Sequence, residues 1–228
     1  MHLVFLHAFP LDHTMWEQQL AVVPGYCHAS ALYSYGSSLE NWAKGAISSI
    51  GTNKAIAIGA SIGGSCAIEM ARQAPSQIAA LVLVATKAGH RPDLNARDNY
   101  IDKLRKNGVK EIWPTVSSWV GPATPPCVVD TIRRIAFAQS TEDLANAVHA
   151  FHGRADLTDV VSQWEKPLLV VSGDADPVVT EQKAAVLAGL TPNAKLHVIS
   201  GCGHFVNMER PGEFNGILTD FVQSVEAN

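Results

Sequence analysis

Short apolar runs rich in Val, Ile and Leu recur along the chain at residues 3–6, 29–32, 55–58, 81–84, 168–171 and 196–199. Several are continuous rather than alternating, which is the pattern of strands covered on both faces. Between them, residues 16–23, 39–50, 62–73, 181–188 and 211–225 carry apolar positions at helical spacing, and Pro75 ends the third of these stretches. Strands alternating with helices predict an α/β fold built on a mainly parallel six-stranded sheet with helices on both faces.

The alternation fails between residues 87 and 163. That stretch has no strand pattern, is punctuated at Pro92, Gly108, Pro114, Gly121, Pro122, Pro125 and Pro126, and holds short amphipathic segments in between. A structureless loop of such length is improbable inside a compact domain, so a helical insertion is expected. The chain then divides into a core of residues 1–86 and 164–228 and a helical lid, or cap, of residues 87–163.

Composition narrows the function classes. A chain of 228 residues, 47% hydrophobic and 17% charged, has material for one substantial core and is not disordered. The net charge of −4 offers no general attraction to nucleic acid or to an anionic membrane. No apolar run reaches the length of a membrane span and the first residues lack the pattern of a signal peptide, so a cytoplasmic protein with neither nucleic-acid nor membrane partners is expected. Cys27, Cys66, Cys127 and Cys202 are scattered without metal-ligand spacing and read as free thiols. Charge is nevertheless uneven: residues 87–110 hold seven basic side chains (Lys87, Arg91, Arg97, Lys103, Arg105, Lys106 and Lys110) against Asp93, Asp98 and Asp102. This local excess either forms a solvated helix face or attracts an acidic substrate.

Candidate chemistry sits just past the strands. Residues 59–64 read GASIGG, a G-x-S-x-G pattern between the third strand and a helix, where flanking glycines permit a sharp turn that exposes the Ser61 hydroxyl over the positive end of the helix. After the first strand comes HAFPLDHTMW (7–16), in which the Phe9 N–H can join that of Ile62 in an oxyanion hole. SGDADP (172–177) follows the fifth strand and SGCGHF (200–205), with His204, follows the sixth. His149 and His152 stand three apart, but no third ligand completes a metal site.

Serine, aspartate and histidine in that chain order, each beyond a strand, resemble the α/β-hydrolase superfamily. HAFPLDHTMW and SGCGHFVNMERP look most like its small carboxylesterases and the 3-oxoadipate enol-lactonase group. The resemblance covers nearly all of the chain outside the insertion, which stands where the superfamily places its lid. It implies Ser61 as nucleophile, His204 as proton carrier and Asp176 as the acid that orients His204. Asp176 is preferred to Asp174 because the family's acid is the third residue after the strand-end glycine, here Gly173. Trp113, Trp119 and Phe137 are candidate walls of the substrate pocket.

The sequence departs from the family in two places. Ala8 stands where Gly is usual, and the chain lacks the two antiparallel strands with which members ordinarily begin. The strand at 29–32 would then be an exposed edge, so a homodimer formed through it is expected. The implied activity is that of a serine hydrolase cleaving a small carboxylic ester or lactone through an acyl-enzyme, with no cofactor and no metal. Alternatives on the same triad are an enol-lactonase, an acyl-carrier methyl esterase, a carbon–carbon bond hydrolase or a perhydrolase; from another class comes a hydrolase-fold ligand receptor.

Overall fold

The continuous apolar runs become strands with both faces covered. In the computed structural model, which describes residues 1–23, 25–91 and 93–227, the strands are β1 (His2–Leu6), β2 (Tyr26–Ser30), β3 (Ala55–Ala60), β4 (Ile78–Val84), β5 (Leu168–Gly173) and β6 (Ala194–Ile199). Pro92, one of the expected punctuation points, lies outside the described residues. The strands form one sheet in the order β2-β1-β3-β4-β5-β6, with every pairing parallel. Every residue of β3 and β5 is buried, whereas the edge strands β2 and β6 alternate toward solvent.

The second strand begins and ends earlier than its apolar run suggests. His2 to Leu6 pair in register with Tyr26 to Ser30, and Leu32 lies beyond the sheet in a 3-10 turn, Leu32–Tyr35, where it is buried. Its hydrophobic signal reports packing of that turn rather than strand pairing. The expected helix at 16–23 is likewise shorter: a 3-10 turn His13–Trp16, with Asp12 Oδ1 accepting from the Thr14 N–H, leads into α1 (Glu17–Leu20).

Helices α2 (Leu39–Ile50) and α3 (Ile62–Gln73) match their periodic stretches, and residues 62–71 of α3 are all buried. Between β4 and β5 lie α4 (Leu94–Asn107), α5 (Val109–Ser117), α6 (Pro126–Ala138), α7 (Thr141–Gly153) and α8 (Thr158–Ser162). After β5 come α9 (Glu181–Ala188), then, beyond β6, α10 (Val206–Glu209) and α11 (Pro211–Glu226). Among the described residues, no helix is long and apolar enough to cross a membrane.

Strand order reverses at β1, which has β2 on one side and β3 on the other. In open parallel sheets such a reversal leaves a crevice beyond the carboxyl ends of the strands. His7 stands there, fully buried at the end of β1. The Leu32 N–H donates to its Nε2 at 3.1 Å, which fixes the proton on Nδ1, 3.3 Å from the Ala8 carbonyl, and Tyr33 packs edge-on at 4.6 Å. One neutral imidazole thus ties the end of β1 to the chain leaving β2.

Burial lowers the His7 pKa to about 4, below its ordinary value near 6.5. The folded state therefore binds fewer protons than the unfolded state between those values, and stability rises with pH across that window. The His7 contribution is complete above about pH 6.5 and is lost toward pH 4, at a cost of about 3 kcal/mol. Urea unfolding at pH 7.5 and pH 4.5 is expected to show His7→Gln destabilised at the higher pH, with most of that deficit gone at the lower. A deficit equal at both pH values would contradict the assignment.

Candidate active site

The crevice is built by close main-chain contact. A Cβ on Gly63 would stand 2.2 Å from the Leu6 carbonyl oxygen, and one on Gly59 would stand 2.2 Å from that of Gly63, so glycine alone allows β3 to turn into α3 this tightly against β1. Ser61, at the turn, has φ 53, a costly conformation for a residue with a side chain. Its neighbours hold it there: the Ser61 N–H donates to the Val84 carbonyl at 2.8 Å, and its own carbonyl accepts from Thr86 Oγ1 at 2.7 Å and the Gly64 N–H at 3.0 Å. The Ser61 side chain makes no cap bond to α3, which leaves its hydroxyl free for the cavity it lines.

The loops after β5 and β6 meet beside it. His204 Nδ1 lies 2.8 Å from Asp176 Oδ2, and both side chains are buried. Asp176 Oδ1 accepts from the N–H groups of Val178 and Val179 at 2.7 and 3.0 Å. This arrangement puts the imidazole proton on Nδ1 and leaves Nε2 as an acceptor. Nε2 is buried and has no hydrogen-bond partner among the described residues. Asp174 is placed differently, accepting from Ser200 Oγ at 2.9 Å and the Gly201 N–H at 2.7 Å, so it braces the turn ahead of His204.

Ser61 and His204 line one cavity of about 220 Å³, together with Phe9, Ile62, Trp119 and Val178. Its outer wall comes from the helices between β4 and β5: Tyr100 on α4, and Val148, Phe151 and His152 on α7. Trp113 and Phe137, expected on this wall, are not among its lining residues. Their rings meet edge to face at 5.7 Å between α5 and α6, with the Arg133 guanidinium 5.2 Å over Phe137. Tyr100 and Phe151 stand where those aromatics were expected. Tyr100 lies in a helix so polar that its sequence gives no sign of a pocket. His149 Nδ1 lies 3.1 Å from the Ser37 carbonyl, while its neighbour in spacing, His152, lines the cavity.

Glu209 carries a role that the motifs did not reveal. Its buried carboxylate accepts the Gly121 N–H at 2.7 Å, Thr124 Oγ1 at 2.5 Å, the Gly203 N–H at 2.9 Å and the Phe205 N–H at 2.9 Å. It thereby clamps the residues on either side of His204 to the loop after α5, where the Trp119 carbonyl accepts the His204 N–H at 2.8 Å. The Glu at the end of SGCGHFVNME was the available signal, an acid in an otherwise apolar stretch. The isosteric Glu209→Gln turns one acceptor into a donor that faces an amide, a loss of about 1–3 kcal/mol. Hydrogen exchange at Gly121, Gly203 and Phe205 is expected to quicken about fivefold or more in this variant; unchanged exchange would show that the clamp does not hold the loop.

The chain is similar to known proteins over most of its length. Residues 3–217 match the model of a family described as the alpha/beta hydrolase family. Monoacylglycerol lipase abhd6-A of Xenopus laevis is 24% identical, with the match covering 98% of this chain and 76% of that protein. A pimeloyl-[acyl-carrier protein] methyl ester esterase of Cronobacter sakazakii is 25% identical over 93% of this chain and 89% of its own. Among solved structures, a thermophilic esterase from Thermogutta terrifontis superposes with a TM-score of 0.91 at 25% identity, covering 99% of this chain and 90% of that one.

Proposed function

Since this chain belongs to the alpha/beta hydrolase family, we propose that it is a serine hydrolase that cleaves a small carboxylic ester or lactone through an acyl-enzyme. One observation carries the reading: His204, bonded at Nδ1 to Asp176, keeps a buried and unpartnered Nε2 in the cavity that Ser61 lines. Buried polar atoms are almost always paired, and an exception of this kind is expected where a reacting group must be met.

In this mechanism Ser61 Oγ attacks the carbonyl carbon as His204 Nε2 takes its proton, while Asp176 keeps the ring in the correct tautomer and offsets the imidazolium charge. The oxyanion accepts hydrogen bonds from the N–H groups of Phe9 and Ile62, and the N-terminus of α3 adds positive potential. His204 returns the proton to the leaving alkoxide. Water then attacks the acyl-enzyme with the same histidine as base. Residues 87–163 act as the lid, and the cavity beneath them is smaller than the roughly 300–1,000 Å³ usual for drug-sized ligands, which favours short acyl groups.

Ser61→Ala is expected to lower kcat on p-nitrophenyl butyrate by about 10⁴-fold or more without lowering Tm, and a fluorophosphonate should label the wild type at Ser61 alone. Turnover by the variant close to that of the wild type would overturn the proposal, and labelling without turnover in the wild type would favour a ligand receptor.

A further inference from the structure

A second polar feature of the cavity lies away from the triad. His152 on α7 lines it, and its Nδ1 is buried without a partner among the described residues. Phe151 and His152 also line a more open cleft whose remaining walls include Lys87, His90, Arg91, Asp93 and Asp156. These two side chains are therefore the partition between cavity and cleft. Against Phe151 lies Arg154, 1% exposed, with its guanidinium carbon 3.8 Å over the ring. Nη1 of Arg154 donates to the Phe151 carbonyl, but Nε and Nη2 have no partner among the described residues.

The carboxylates nearby, Asp93 and Asp156, offset only part of this positive charge. Asp93 accepts the Ala96 N–H and caps α4, and Asp156 accepts the N–H groups of His90 and Thr158. Among the described residues, no ion pair joins either to Lys87, Arg91 or Arg154. Lys183 reaches the other side of the rim, where its Nζ donates to the carbonyl of cavity-lining Val178. Burial, and then the charges of Arg154 and Lys183, hold the Lys87 amine below its ordinary value, and burial brings Arg154 down to about 10 against the opposing pull of the Asp156 carboxylate. Three cations, Lys87, Arg91 and Arg154, against the two carboxylates of Asp93 and Asp156 leave a net positive potential for an anion to fill.

We propose that the partition at His152 is an anion subsite, and that the protein acts on esters carrying a carboxylate remote from the scissile bond. The reacting ester meets Ser61 and His204 in the apolar cavity. The carboxylate reaches His152 in the field of Lys87, Arg91 and Arg154. This assignment of substrate class rests on the esterase reading above.

Two matched pairs of esters test it by placing the charge on either side of the scissile bond: mono-4-nitrophenyl adipate against 4-nitrophenyl hexanoate, and 4-acetoxybenzoate against 4-acetoxybenzamide. In at least one pair the anionic ester is expected to have a kcat/KM at least tenfold higher, through KM, with the advantage shrinking as salt is raised. That ratio should fall at least fivefold in Lys87→Gln, an exposed position that leaves folding untouched, and in His152→Gln. Wild-type ratios at or below one in both pairs, or a ratio unchanged in both variants, would overturn the subsite while leaving the esterase reading intact. Failure to hydrolyse all four esters would remove the esterase reading and the subsite with it.

Discussion

The first turn of α3 rests directly on the carbonyls that end β1, with no side chain between them; a Cβ on Gly63 would come within 2.2 Å of one and 2.7 Å of the next. Everything at the crevice follows from that contact. It forces β3 to turn abruptly, so Ser61 is pushed to positive φ and its hydroxyl is turned away from helix capping. It also fixes two separate stretches of backbone, residues 7–9 and 61–63, to one another across neighbouring strands. Buried His7 holds the first stretch in place from below, which is why an imidazole that must stay neutral is tolerated at full burial.

The opposite side of the cavity also has close glycine contacts, with a Cβ on Gly203 falling 2.3 Å from the Trp119 carbonyl oxygen, but there carboxylates add a second hold. Three acids after β5 and β6 divide the work: Asp174 braces a turn, Glu209 gathers donors from two loops, and Asp176 alone bonds His204. A carboxylate suits the first two tasks because it accepts several hydrogens at once, and at Glu209, which is buried where Asp174 is exposed, each such bond is costly to leave unmade. The stability that these bonds supply offsets two local costs, the strained Ser61 backbone and the unpaired His204 Nε2. A site that keeps a polar atom free must be held rigid by groups that keep none free.

How much of this was legible in the sequence follows from the kind of signal each element leaves. Buried central strands such as β3 and β5 and long helices such as α2 and α3 impose their periods over enough residues to be read directly. β2 was misplaced by a few residues because an edge strand written YCHAS has little apolar character, while Leu32 beyond it is buried in a turn. At the site, Gly59, Ser61 and Gly63 were readable because close approach restricts the residue type at fixed spacing. The cavity wall was not readable. Any aromatic on an insertion helix satisfies the same pattern, and only the packing of α4 on α7 places Tyr100 and Phe151, rather than Trp113 and Phe137, against the cavity.

That packing also sorts the basic residues that sequence could only count. The α4–α7 contact buries Ile101, Leu104, Leu144 and Val148, each worth about 1.5–3 kcal/mol. By contrast, the Arg105–Glu142 pair between the same helices is exposed and screened by solvent, so it adds little. Apolar burial therefore sets where the wall stands, and the charges distribute themselves afterwards. Arg97 and Arg105 find Asp98 and Glu142, and Lys103, Lys106 and Lys110 face solvent, as a solvated helix face requires. Lys87 and Arg91, joined from a distant part of the chain by Arg154, collect instead at the end where α7 meets the cavity. A single positive balance in the sequence thus separates into a solvated portion on the outer faces of α4 and α5 and a second portion beside the wall. Only the second has the position to influence what enters.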